Sequence, residues 1–168
     1  MIVVGDIDVD AVEAQIKTLR PTSPPPAADA AQKEVIEVPD NKEPIVSIYT
    51  DPEMQGTKVQ LFIKRQAIPE QFNNTIAGEM TDVIESFLST MANARMQEIA
   101  MQADAPFIGG YIGSGDVIGI IPTLNATAAV AVTQDGQLAR GFEALYTELE
   151  KIRRYGFTQG EFERAQED

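Results

Sequence analysis

The stretch Leu124-Asn125-Ala126-Thr127-Ala128-Ala129-Val130-Ala131-Val132 decides the fold. Leu124, Ala126, Ala128, Val130 and Val132 alternate with small or polar residues. That period of two is a strand with one buried face. Asp135-Gly136 follows as a turn, and Leu138, Phe142, Leu145, Leu149 and Ile152 then recur at helical spacing. Upstream, residues 107–121 are apolar and rich in glycine, which suits a twisted or bulged hairpin strand. Before them, Pro69 opens a long helical stretch with the stripe Phe72, Ile76, Met80, Val83, Phe87 and Met91, widened by Ile84 and Leu88 and extended by Met96 and Ile99. A helix from 69 to 102 would span about 50 Å at ~1.5 Å per residue, so a break is expected, near Ser89-Thr90.

Further upstream, Val59, Leu61 and Ile63 alternate with Lys58, Gln60 and Lys64, a half-buried strand. Ile45-Val46-Ser47-Ile48-Tyr49 is a second strand-like run, separated from it by a turn around Pro52 and Gly56. The order strand, strand, long helix, strand, strand, helix, with short links between strands, favours antiparallel pairing. The expected class is α+β, an antiparallel sheet with helices packed on one face. Residues 21–44 hold six of the ten prolines and read as an extended linker. Ahead of it, Ile2-Val3-Val4 reads as a short strand. Val12, Ile16 and Leu19 mark a helix capped by Asp8. At the other end, Thr158 and Glu161 have capping-box spacing, with Phe157 and Phe162 at the staple positions. A helix capped this carefully leads us to expect that the natural polypeptide continues past Asp168.

Composition excludes much chemistry. The 168 residues include no His and no Cys, which removes Ser-His-Asp triads, His-containing zinc sites, thiolate nucleophiles and disulfides. With 26 acidic and 13 basic residues the net charge is −13, unsuited to sequence-independent nucleic-acid binding. No apolar run is long enough to span a bilayer.

Individual constellations read as structural. Asp6-Ile7-Asp8-Val9-Asp10 begins like a calcium loop, but Ala11 and Lys17 stand where the loop needs Gly and Glu, so a helix cap is preferred. Gly109, Gly110, Gly113, Gly115 and Gly119 are not spaced as a phosphate cradle and lead into a strand rather than a helix. Met80, Met91, Met96 and Met101 suit core filling better than a peptide groove. Asn73-Asn74-Thr75 and Asn125-Ala126-Thr127 match glycosylation acceptors. Arg153-Arg154 suits a helix C-terminus. A carboxylate-only catalytic pair stays open, without a spacing that marks it.

Several segments, in order, resemble the pitrilysin/insulinase class of zinc metallopeptidases, which includes the mitochondrial processing peptidases. Ile2-Val3-Val4-Gly5-Asp6-Ile7-Asp8 is similar to a strand that closes one homologous domain of that family. Met91-Ala92-Asn93-Ala94-Arg95-Met96-Gln97-Glu98-Ile99 resembles the "LNSRLxxEI" stretch of the next domain, and Asp104-Ala105-Pro106-Phe107 a "DAPF" segment. Gly156-Phe157-Thr158-Gln159-Gly160-Glu161-Phe162 is similar to the "GFTxxEL" ending.

The resemblance implies a mitochondrial processing peptidase-like fold. Residues 1–20 would be the last strand and helix of a preceding domain, 21–44 a linker, and 45–168 a non-catalytic peptidase-family domain truncated at its C-terminus. It implies an inverted zinc motif in the preceding domain and no catalytic, cofactor or metal residue here. The family's substrate-binding Arg and Tyr would fall near Ala100 and Phe107, and neither matches. The implied partners are homologous domains of the same chain or a homologous subunit, and a peptide substrate enclosed in a chamber. The bacterial periplasm and the cytoplasm both suit such a protein. A stand-alone α+β binding or scaffold module is the alternative.

Overall fold

The computed structural model describes residues 2–19, 27, 29–31, 34, 36–115, 121 and 123–167. The chain divides into two units, Met1–Glu34 and Val35–Asp168. The first contains α1 (Val9–Leu19). Asp8 caps it as expected: its Oδ1 accepts the Ala11 N–H at 3.0 Å, satisfying one of the orphan donors of the first turn. Glu13 and Lys17 pair along its face at 2.5 Å. Residues 2–4 were expected as a strand but form none, and Ile2 and Val4 lie almost fully exposed. A strand needs a ladder partner, and none exists among the described residues of this unit.

The second unit is α+β. Its elements are β1 (Thr57–Gln66), a 3₁₀ turn (Glu70–Phe72), α2 (Ile76–Ala100), β2 (Gly109–Gly115), β3 (Leu124–Thr133), α3 (Leu138–Tyr155) and α4 (Gln159–Glu167). The strands form an antiparallel sheet in the order β1-β3-β2. Leu61 and Ile112 both lie opposite Ala129. Helices α2 and α3 cover one face, and α4 packs on α2. The core joins Ala92 and Met96 of α2, Phe107, Ile112 of β2, Ala129 and Ala131 of β3 and Leu145 of α3. The alanines let both helices approach the central strand closely. For the same reason a Cβ at Gly110 would run into Met96, and one at Gly141 into Thr133.

Three expectations are corrected here. First, β3 is buried on both faces, not one. Leu124, Ala126 and Ala128 are buried as expected, but so are Ala129, Ala131 and Thr133 opposite them, whereas Val130 and Val132 are partly exposed. The helices sit on the face of Asn125, Thr127, Ala129, Ala131 and Thr133, small or polar residues that carry no apolar period, so the period-two pattern named the less covered face along the second half of the strand. Second, α2 runs unbroken through Ser89 and Thr90. The break falls at residues 73–75, where Asn74 takes a left-handed φ of 57°. Thr75 then caps α2, accepting the Gly78 N–H at 3.2 Å while its hydroxyl donates to the Phe72 carbonyl at 2.6 Å. Third, residues 45–49 are exposed and enter no ladder. Their β-branched residues favour a pleated surface only where a neighbour offers one.

Candidate functional site

Three polar clusters sit in this fold, and each begins with a side chain on α2. The largest centres on Arg95, which α2 aims at the junction of α3 and α4. Its Nε donates to Glu161 Oε1, its Nη2 to Glu161 Oε2 and to the Gly156 carbonyl, both at 2.9 Å, and its Nη1 to Glu148 Oε1 at 3.1 Å. The Phe157 ring lies 4.7 Å from the guanidinium carbon. The Glu148 side chain is only 4% exposed and Glu161 15%, so two carboxylates share one forked cation in a largely dry setting. Arg95, chiefly through its hydrogen bond, holds the Glu161 carboxyl down to about 2 against the opposing effect of burial; the Thr158 backbone N–H adds to the lowering. Arg95 is raised in turn, chiefly by its hydrogen bond to Glu161. A general acid needs its carboxyl pushed up, so Glu161 has the wrong environment for that role.

The second cluster is Asn93. Its Nδ2 donates to the Ile112 carbonyl at 2.8 Å, and its Oδ1 accepts the Ile112 N–H at 3.0 Å. The side-chain amide thus stands where a neighbouring strand would, on the outer edge of β2. Because both backbone groups of Ile112 point away from β3, the alternation of an antiparallel ladder fixes the rest. Tyr111 and Gly113 bond to Val130 and Ala128; Val59 and Leu61 bond to Ala131 and Ala129. The backbone groups of Lys58, Gln60 and Phe62 therefore point outward from the free edge of β1. The third cluster joins Arg65 to Glu85, with Arg65 Nη2 3.3 Å from the Ser114 hydroxyl, which sits 3.4 Å from Thr127 Oγ1.

The residues singled out in the sequence fall elsewhere. Asp8 is a helix cap. Gly109, Gly110, Gly113 and Gly115 lie in β2, and Gly119 lies outside the described residues. Met91 and Met96 are buried in the core, whereas Met80 and Met101 are exposed, so the four line no common groove. Arg153 and Arg154 both pair with Glu150 at 2.9 Å. Phe107 is a core residue. Thr158 and Glu161 do form the capping box: the Thr158 N–H donates to Glu161 Oε2 at 2.6 Å, and the Glu161 N–H to Thr158 Oγ1 at 3.3 Å. The staple phenylalanines turn to other partners, Phe157 to Arg95 and Phe162 to Phe87, its ring centroid 5.2 Å away. Among the described residues, no group of three or more Asp or Glu is placed to hold a metal ion.

Asn93 and Arg95 lie in the stretch Met91–Ile99 that carries the resemblance, without any sign there of what they bind, and Glu148 carried no flag. Glu148 could have: it stands between Leu145 and Leu149 on the apolar stripe of α3, where a carboxylate calls for a buried partner.

No family model matches the chain, and no curated protein matches it. Two solved structures do. One is the periplasmic protease PqqL from Escherichia coli, with a TM-score of 0.75 and 24% identity over 96% of this chain and 17% of that one. The other is the first half of the same protease, with a TM-score of 0.76 and 22% identity over 97% of this chain and 33% of that one. The chain therefore has the fold of part of a periplasmic protease. It spans about a sixth of the whole PqqL chain and a third of the half.

Proposed function

We propose that this chain is a non-catalytic segment of a zinc metallopeptidase of the pitrilysin/insulinase type, and that it helps build the chamber enclosing a peptide. In this reading residues 1–20 end a preceding homologous domain, residues 21–44 link the two, and residues 45–168 are the domain proper, continued beyond Asp168. Zinc and the water-activating glutamate sit in the preceding domain, and the partners are the homologous domains of the same chain or of a homologous subunit. The carrying observation is the fold likeness to a protease over 96–97% of this chain, in a chain without His or Cys. An enclosed peptide would add as a strand along β1, because Asn93 already occupies the β2 edge at Ile112.

The test uses the purified chain, zinc and an unstructured peptide. No cleavage is expected. Hydrolysis that survives repurification and stops on adding a chelator overturns the non-catalytic assignment. Amide exchange read on the same sample should slow at Lys58, Gln60 and Phe62 when peptide is present. Unchanged exchange there removes β1 from the chamber wall.

A further inference from the structure

Residues 36–56 are tied to both ends of β1. Where β1 finishes, Lys64 Nζ donates to the Pro39 carbonyl at 2.9 Å, and Thr123 Oγ1, beside the Gln66–Leu124 pair, donates to the Ile36 carbonyl at 2.6 Å. Where β1 starts, Asp51 turns the chain back toward it. The Asp51 carbonyl accepts the Met54 N–H at 3.1 Å, and its carboxylate accepts the Glu53 N–H and the Tyr49 hydroxyl, both at 2.9 Å. The exposed run Ile45-Val46-Ser47-Ile48-Tyr49 lies between these ties and so is carried antiparallel to β1. Among the described residues, the edge of β1 has no ladder partner at Lys58, Gln60 and Phe62.

We propose that residues 43–48 are a strap, open in this structure, that closes on β1 as a fourth strand and competes with a peptide for that edge. The competition rests on the chamber reading; the closure does not. A hairpin closed on the Asp51–Met54 turn sets Ser47 opposite Lys58, Ile45 opposite Gln60 and Glu43 opposite Phe62. Lys64 then faces Asn41, next to the Asp40 and Pro39 that its long stem already reaches. Pro44 falls opposite Leu61, whose backbone bonds inward to Ala129, so the donor that proline lacks would have pointed to solvent. A shift of one residue either way would put Pro44 opposite Gln60 or Phe62, where the ladder needs a donor. The same register turns Val46 and Ile48 to the helix-covered face beside Val59, which packs on the core. Ser47 stays on the open face beside Lys58. Closure thus gives this β-branched run the neighbour it lacks.

The chain has no Cys, so two introduced ones report the register. Ser47→Cys/Lys58→Cys places both thiols on one face of a paired position, whereas Ile48→Cys/Lys58→Cys places them on opposite faces. Under mild oxidation the first variant should form an intrachain disulfide at least about tenfold faster than the second, read by peptide mass mapping. Equal rates, or a disulfide joining two chains, overturn the closure. Excess unstructured peptide should slow oxidation of the first variant at least about threefold. Peptide that slows amide exchange at Lys58 and Gln60 in the parent chain but leaves this oxidation unchanged overturns the competition. Peptide that alters neither refutes peptide binding at β1 and the competition with it, while the ratio of oxidation rates still decides the closure.

Discussion

Gly78 sets two effects against each other at one position. It lies in the first turn of α2, where Ala is the better helix former by about 1 kcal/mol. A Cβ there would run into the Phe72 carbonyl oxygen, part of the backbone on which Thr75 builds its cap. Backbone cannot swing aside, so Gly78→Ala should destabilise by about 1–3 kcal/mol, read by urea denaturation. Arg95→Met should cost more, about 3–5 kcal/mol by the same measurement, because it leaves the buried Glu161 carboxylate without its cation and Glu148 with only the half-exposed Lys151 ammonium, 3.2 Å away.

Acid should act through the same cluster. The folded Glu161 carboxyl titrates at about 2, below its ordinary value of 4.5. A depressed carboxyl stabilises the fold above its unfolded pKa, and that stability drains as pH falls from about 4.5 toward about 2. Glu161→Gln should flatten this part of the stability–pH curve relative to the parent. Identical curves would assign the acid sensitivity to other carboxylates. Glu150, also lowered to about 2 by Arg153, sits at the surface, where solvent screens the pair and weakens its contribution.

At the scale of elements, what was legible is what packs with a single period. The stripe Leu138, Phe142, Leu145, Leu149 and Ile152 was read correctly as α3, and Val59 and Leu61 as the inward side of β1. Two strand-like runs, residues 2–4 and 45–49, were over-read because β-branched composition records a preference that only a neighbouring strand can satisfy. The break in the long helical stretch is not at Ser89-Thr90, as its length led us to expect. It falls at Asn74 instead, whose side chain tolerates the left-handed turn.

The ladder parity of β1 supports a sharper test at this scale. Proline at Gln60 removes an N–H that faces outward, and proline at Leu61 removes one that bonds to Ala129. Leu61→Pro should cost about 3 kcal/mol or more, whereas Gln60→Pro should leave most of the stability and abolish strand addition along β1. A larger loss for Gln60→Pro than for Leu61→Pro in thermal unfolding would show the parity assigned from Asn93 and Ile112 to be reversed.

Across the whole chain, the fold class was legible and the clusters were not. The periods of β1, α2, β3 and α3 survive in any one sequence, because burial repeats along each element. The meeting of Arg95 with Glu148 and Glu161 joins positions 53 and 66 residues apart, and no local pattern encodes that distance. Net charge, by contrast, needs no structure to read, and it carries a last prediction. At −13 the folded chain repels itself more strongly than its expanded unfolded state does. Raising NaCl from about 10 mM to about 150 mM shortens the screening length from ~30 Å to ~8 Å and should relieve that repulsion. The Arg95 cluster, buried and hydrogen-bonded, is screened far less. The exposed pairs Lys17–Glu13 and Arg153–Glu150 lie within single helices and contribute little. Calorimetry at pH 7 should therefore show the unfolding temperature rising by a few degrees with salt. A fall would mean that exposed ion pairs outweigh the long-range repulsion, and would require that the surface charges be arranged in networks rather than in an excess of one sign.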